Sequence, residues 1–361
     1  MSDVYKKFSP ELYEAVYQVE EEQDGMRLDQ YCASFLPSFS RQQIKKKIKD
    51  GEITIFKRPH HPHKASVKVY HREQVEVRTP RANLEDEYWD GEKIDLQVDP
   101  EIVFEDENIL AISKPAYMAT HPSGKHLFNC ATVYFENLYK KPIYSIHRLD
   151  RETSGVLLLA KSSKTAQICT SLFEKNLVSK IYFFVAHNDT EEIFPITAKE
   201  RLGLIENFVP RNYNHCFTES SSHGKHAETT FFHLHIDSDY IIGLACPKTG
   251  RQHQIRCHAA VHGFPLVGDK LYNGDPTIFM RFKDMEATDE DHDDMVLPRH
   301  ALHALALKIA YPSKENPSIY KTLIPKDLRI WMEENIQNLS MPKLRADIEK
   351  VIHERFYEKK Y

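Results

Sequence analysis

What the 361-residue chain lacks is informative. No apolar run reaches the length of a bilayer span, so no transmembrane helix is expected. Residues 1–10 are charged and polar without an apolar stretch, which is not the pattern of a secretory signal. The six cysteines (Cys32, Cys130, Cys169, Cys216, Cys246 and Cys257) are scattered and never spaced as CxxC. This spacing fits a reduced cytoplasmic setting and argues against a thiolate zinc site. The net charge of -5 does not advertise nucleic-acid binding. Any affinity for RNA must come from local basic patches, because counterion release is a local effect. No internal repeat is found.

What is present suits more than one domain. Hydrophobic residues make up 41%, enough for a sizeable core. Four zones are expected: a small module over 24–79, an acidic linker over 80–99, a large domain over 100–340, and a helical tail over 341–361. In the first zone Leu28, Tyr31, Cys32, Phe35 and Leu36 follow helical spacing. Pro37 ends that helix. Ser40 then caps a second, with Gln43 completing a capping box and Gly51 at its C-terminus. Strands are expected over 52–56 and 74–78. In the large domain, strands are expected over 109–113, 156–160, 181–186, 229–236 and 241–246, and helices over 164–176 and 252–262. The stretch 276–298 holds seven carboxylates and reads as a mobile acidic insertion. Leu344, Ile348, Val351 and Ile352 give the tail an apolar stripe expected to dock on the surface.

The densest chemistry lies in His147-Arg148-Leu149-Asp150-Arg151-Glu152-Thr153-Ser154-Gly155, feeding the apolar run Val156-Leu157-Leu158-Leu159-Ala160. A core strand makes the turn before it rigid, and a rigid turn can hold a reacting group to tolerance. Read on chemistry alone, the same residues make a loop ion pair of Arg148 or Arg151 with Asp150. A second block is Gly250-Arg251-Gln252-His253-Gln254-Ile255-Arg256, followed by Gly263-Phe264-Pro265 and Gly268-Asp269. Alone, it would be a basic surface helix. A third is Lys180-Ile181-Tyr182, where strand alternation turns Tyr182 away from Ile181 and Phe183. Further blocks are Leu302-His303-Ala304 with Tyr311-Pro312, and Lys114-Pro115 with His121-Pro122-Ser123-Gly124.

In this order the blocks resemble those of the RluA-type pseudouridine synthases, over nearly all of 100–340. The resemblance implies an RNA-modifying isomerase needing no cofactor, with an α+β fold. Its catalytic domain would be built on a mixed, mainly antiparallel bent sheet. Asp150 would be catalytic, as nucleophile or as the base that starts glycosidic cleavage. Arg148 would help displace the target base, Arg256 would pair with Asp150, and Tyr182 would stack on the flipped base. Tyr182 is also the candidate proton acceptor. The Leu302-His303-Ala304 block would be mostly structural.

Residues 24–79 resemble an S-four-like (α-L) RNA-binding domain through Arg27-Leu28-Asp29, Ser40-Arg41 and Gly51-Glu52-Ile53. They depart from it at Ile55-Phe56-Lys57, at Pro59-His60-His61-Pro62-His63 and at His71-Arg72-Glu73. Arg41, Lys45, Lys46, Lys47 and Lys49 would meet phosphates there, although a lysine run is also an ordinary solvated face. A monomer acting on RNA is expected, with large-subunit ribosomal RNA first and transfer RNA second. Rival readings are a catalytically idle ribosome-assembly factor and a histidine metalloenzyme. For the latter, His233 and His235 could chelate from one strand face, but no carboxylate or cysteine stands at a recognised spacing, and no metal is expected.

Overall fold

The computed structural model describes residues 3–8, 12–36, 41–58, 63–80, 87–96, 99–122, 126–313 and 315–357. It divides into two compact units: Met1–Asp86 with Ala119–Ile143, and Glu87–Met118 with Tyr144–Tyr361. Pro37, Ser40, Pro59, His60, His61, Pro62, Ser123 and Gly124 lie outside the described residues.

The first unit contains β1 (Asp3–Phe8), β2 (Leu12–Gln18), α1 (Leu28–Phe35), α2 (Arg41–Lys49), β3 (Ile53–Ile55), β4 (Gln74–Pro80) and α3 (Ala131–Tyr139). Its sheet runs β1-β2-β4-β3, all antiparallel. Alternation along β2 buries Tyr13, Ala15 and Tyr17. Against them pack Leu28, Tyr31 and Cys32 of α1 and Ile44 and Ile48 of α2, four residues apart on one helix face. Gly51, at φ +77°, follows α2 in the left-handed region that a helix C-terminus favours. The unit is larger than the stretch 24–79. β1 and β2 precede that stretch, and Ala119, Cys130 and Val133 join its core from far along the chain.

The second unit contains β5 (Tyr88–Trp89), β6 (Glu92–Lys93), β7 (Glu101–Glu105), β8 (Ile109–Lys114), β9 (Tyr144–Ser145), β10 (Ser154–Ala160), α4 (Ser163–Glu174) and β11 (Val178–His187). There follow β12 (Ile196–Ala198), β13 (Arg201–Gly203), β14 (His215–Phe217), β15 (Thr229–Ile236), β16 (Tyr240–Pro247), α5 (Gln254–Val261), α6 (Ile278–Asp284) and α7 (Asp289–Met295). The last elements are β17 (Leu302–Pro312), β18 (Pro317–Lys321), α8 (Lys326–Asn335) and α9 (Met341–Phe356).

Its main sheet runs β12-β15-β16-β11-β17-β10-β8-β7, with β18 beside β17 and β9 beside β10. The fold is α+β and the sheet mixed but mainly antiparallel: β10 and β17 pair in parallel and the other named pairs are antiparallel. Strand β11 shows how the two faces are used. Ile181, Phe183 and Val185 enter a core completed by Trp331 and Met332 of α8 and by Leu344, Ile348 and Ile352 of α9. Phe184 and Ala186 enter another, with Ile255 and Ala259 of α5, and Tyr182 packs at its edge. A bulge between Ile181 and Tyr182 adjusts the register there.

Two expectations change. The stretch 276–298 is not a loose loop. Thr288 caps α7 in a reciprocal box with Asp291, and Arg281 of α6 forks onto Asp291 at 2.8 and 2.5 Å. Nor do His233 and His235 share a plain strand face, because a bulge falls between them. Among the described residues, no three His, Cys, Asp or Glu side chains cluster to hold a metal. No helix among them is long and apolar enough to cross a membrane.

Candidate active site

The site begins at the turn between β9 and β10. Three features pin it. Thr153 Oγ1 lies 2.8 Å from His300 Nε2, Ser154 Oγ lies 2.9 Å from His303 Nδ1, and the buried Lys114 ammonium donates to the Arg151 carbonyl at 3.0 Å. Gly155 makes the parallel contact possible: at φ +107° it crosses β17 so closely that a Cβ would sit 2.2 Å from the Ala304 carbonyl oxygen. The Leu302-His303-Ala304 block thus supports the turn as much as it closes the sheet.

The turn presents Asp150. The local ion pair does not form. Arg151 donates instead to Glu87 at 2.7 Å, and Arg148 is exposed and forms no ion pair among the described residues. The partner of Asp150 lies 106 residues away: Arg256 Nη1 donates to Asp150 Oδ2 at 3.2 Å. The same guanidinium forks onto Asp269, with Nε and Nη2 each 2.6 Å from a carboxylate oxygen. Asp269 is fully buried and also accepts the backbone N–H groups of Leu271 and Tyr272. The Tyr272 ring supports the guanidinium from 5.2 Å. Arg256 is therefore fixed on three sides, with one N–H edge left for Asp150.

Electrostatics follow from this packing. Burial pushes the Asp150 carboxyl up, but facing His253, Arg256 and His300 outweigh it and hold it below its ordinary value. Asp269 behaves alike beside Arg256. Asp150 is thus an anion held by a buried cation, with its side chain 30% exposed and open to a ligand. Tyr182 stands on the α5 side of β11. Burial, and then the Asp150 charge, push its phenol well above the usual range, so it is protonated in the free protein. Lys180 donates to the Thr249 carbonyl at 2.8 Å, tying β11 to the second motif; burial and Arg251 lower its ammonium to about 8.

The structure thus brings Asp150 and Arg256 into contact, places Tyr182 within the field of Asp150, and leaves Arg148 in solvent. Several members of the constellation were given no role from sequence. Asp269 and His253 stand inside quoted motifs, so a signal was present. Glu152, bonded to the His300 N–H at 3.2 Å, stands in the first block as well, whereas the buried Arg299, bonded to Asp327 at 2.7 Å, had no such signal. In the first unit, Arg41, Lys45, Lys46 and Lys49 are exposed on α2, whereas Lys47 is half-buried and tied to Glu52 at 2.5 Å.

Comparison with known proteins fits this geometry. A family model described as RNA pseudouridylate synthase matches residues 108–261. Ribosomal large subunit pseudouridine synthase D of Vibrio cholerae is 28% identical over 322 residues, covering 86% of this chain and 91% of that protein. An uncharacterized RNA pseudouridine synthase of Bacillus subtilis, YlyB, is 28% identical over 338 residues, covering 88% and 96%. The mitochondrial tRNA pseudouridine(32) synthase of Saccharomyces cerevisiae is 35% identical over 175 residues, covering 48% of this chain and 37% of that protein. Among solved structures, human RNA pseudouridylate synthase domain containing 4 shares the fold at a TM-score of 0.51, with 20% identity over 68% of this chain and 93% of that one.

Proposed function

We propose, for a chain that belongs to the RluA-type pseudouridine synthases and is an RNA pseudouridine synthase, that its substrate is large-subunit ribosomal RNA and its catalytic group Asp150. The carrying observation is the Asp150–Arg256–Asp269 arrangement: an ionised, ligand-accessible carboxylate with its counter-cation locked in place. The reaction breaks the bond from ribose C1′ to uracil N1 and forms one from C1′ to C5. A proton leaves C5 and one is gained at N1. Bonds and electrons balance, so the chemistry asks for no redox or phosphoryl group.

In this reading the target uridine leaves its stack to reach the site, because its reacting atoms are inaccessible within a helix. Arg148, exposed beside the motif turn, enters the vacated space. Tyr182 offers a face for the base. As a protonated phenol it would take the C5 proton by relay, passing its own proton to Asp150. The first unit, read as the S-four-like module, meets phosphates through Arg41, Lys45, Lys46 and Lys49. Lys47, expected in that set, is instead engaged by Glu52.

The preference for ribosomal RNA rests on likeness over most of both chains to proteins named for the large ribosomal subunit. The tRNA-directed relative is more identical but matches only 48% of this chain and 37% of its own, so transfer RNA is the second reading. Site-resolved pseudouridine mapping of ribosomal and transfer RNA, from cells with and without the gene, separates them. The expected result is loss of one or more large-subunit sites. Loss confined to transfer RNA would move the target; no loss anywhere would favour a catalytically idle RNA-binding protein.

A further inference from the structure

His253 is unused by the roles assigned so far. It precedes α5 in a left-handed conformation, φ +56°, which turns its ring inward beside Arg256 of the same helix. The ring is buried, and each nitrogen has a distinct neighbour. Nδ1 lies 3.1 Å from the Tyr272 hydroxyl, and Nε2 lies 3.9 Å from Asp150 Oδ2.

The hydroxyl settles which nitrogen carries the proton. Tyr272 Oη accepts the Asn214 N–H at 2.9 Å. Burial keeps this phenol un-ionised, so it has one proton to give, and His253 Nδ1 is the acceptor beside it. The imidazole is neutral near pH 7, because burial lowers it to about 4 against the opposing pull of Asp150. With Nδ1 accepting, its single proton sits on Nε2 and points toward Asp150. The other tautomer would set a lone pair against the carboxylate and leave the Tyr272 proton without an acceptor.

Two N–H groups face one oxygen: Arg256 bonds it, and the His253 N–H stands beside it at 3.9 Å, beyond hydrogen-bond length. Arg256 Nη1 and His253 Nε2 lie nearest Asp150 Oδ2, while Oδ1 has no hydrogen-bond partner among the described residues. We infer that His253 is a positioning residue whose tautomer, fixed by Tyr272, turns an N–H toward Oδ2 beside Arg256 and so leaves Oδ1 to the ribose. This rests on the reading of Asp150 as the catalytic carboxylate. The charged and titratable groups facing the imidazole are Asp150, Arg256, Asp269, His300 and Tyr272.

The test uses the full-length protein labelled with 15N-histidine, with the His253 signals assigned by their loss in His253→Gln. The expected spectrum between pH 5.5 and 7.5 is that of a neutral Nε2–H ring. In Tyr272→Phe, which keeps the ring that supports Arg256, the pattern should shift toward Nδ1–H. A wild-type Nδ1–H ring, or a tautomer unmoved by Tyr272→Phe, overturns the inference even if a more drastic variant misfolds. Kinetics supply the second arm. His253→Leu should lower kcat roughly 10- to 100-fold, as loss of an outer orienting group does. KM should be unchanged, and the acid limb of kcat should move to higher pH as Asp150 loses a stabilising donor. His253→Gln, which keeps an N–H in place, should recover much of the loss. Full activity and an unmoved acid limb in a folded His253→Leu protein, with Asp150→Asn inactive, would refute His253 and spare Asp150. Activity in Asp150→Asn would refute the reading beneath it.

Discussion

Two arginine–aspartate forks in the catalytic unit are nearly the same object in different settings. Arg256 grips Asp269 and Arg281 grips Asp291, each through Nε and one terminal nitrogen. They differ in what the third nitrogen meets. In Arg281, which is 35% exposed, Nη1 turns back to Thr277 Oγ1 at 2.9 Å and the exposed Asp275 at 3.7 Å, both just before its own helix, and the fork simply joins α6 to α7. In Arg256, 6% exposed, Nη1 reaches across the chain to a carboxylate that is open to a ligand. The fork alone is scaffolding. On the proposed reading it serves chemistry when the arginine is buried and its free donor crosses the fold to an anion far along the chain, whereas Asp275 is an exposed neighbour of Arg281.

The strongest way to break this comparison is to remove the second anion. Asp150→Asn keeps the volume and deletes the charge, and pseudouridine formation should fall by roughly 10⁴-fold, as for loss of a central catalytic group. RNA binding should persist in a filter or mobility assay. Removing the cation comes next. Arg256→Met strands Asp269 in the core, so activity should fall steeply and chemical denaturation should show a loss of about 3–5 kcal/mol. Arg281→Met, by contrast, should leave kcat at its wild-type level, and a large loss there would erase the distinction.

A milder case is a cation with no fixed carboxylate. Lys45, Lys46 and Lys49 are exposed on α2, while Lys47 is tied to Glu52. Changing the three exposed lysines to Gln should raise KM for large RNA with little effect on kcat. The slope of log affinity against log salt should fall by about 0.7–0.9 for each phosphate no longer neutralised. Lys47→Gln should change that slope least of the four; if it changes it most, the pairing does not remove Lys47 from RNA binding.

The smallest effect concerns pH. His303, buried, and His147, half-buried, are lowered to about 3, with loss of solvent the main cause; His253 is lowered to about 4. The unfolded chain binds protons at these positions first, so their contribution is complete above about 6.5 and is lost as pH falls from there. His262 has the opposite sign. Its bond to Glu200 raises it to about 9, so its contribution is complete below about 6.5 and lost as pH rises through 9. A Tm profile should therefore fall on both sides. His262→Gln should flatten the alkaline side and also remove the acid-side loss that comes from Glu200, which the same bond lowers to about 2.

Much of this was legible in sequence. Asp150 and Arg256 stood in their motifs, β11 turned Tyr182 as alternation required, and the cores of α1 and α2 followed helical spacing. What escaped was mostly long-range. The hold of Asp269 on Arg256 needs the chain to return after a loop, and His300 meets Thr153 across 147 residues. Local pattern carries no sign of the second, and of the first only that Asp269 stands in a motif. The stretch 276–298 is a different failure. Its carboxylates suggested a loose loop, yet Thr288 and Asp291 at capping-box spacing were there to be read, and one arginine neutralises the buried member. The lysine run misled in the other direction, since counting charge could not reveal that Glu52 claims Lys47.

The bonds from Thr153 to His300 and from Ser154 to His303 also bear on when the enzyme becomes an enzyme. They close loops of about 150 residues, and such closures come late because their entropy must be spent before the new bond returns anything. The hairpin-like pairings of β7 with β8 and β15 with β16 are local by comparison. A chain that has formed those pairs but not yet laid β17 beside β10 can hold most of its sheet with the Asp150 turn still unpinned. On the proposed reading of Asp150, catalytic competence then arrives as one of the last events of folding.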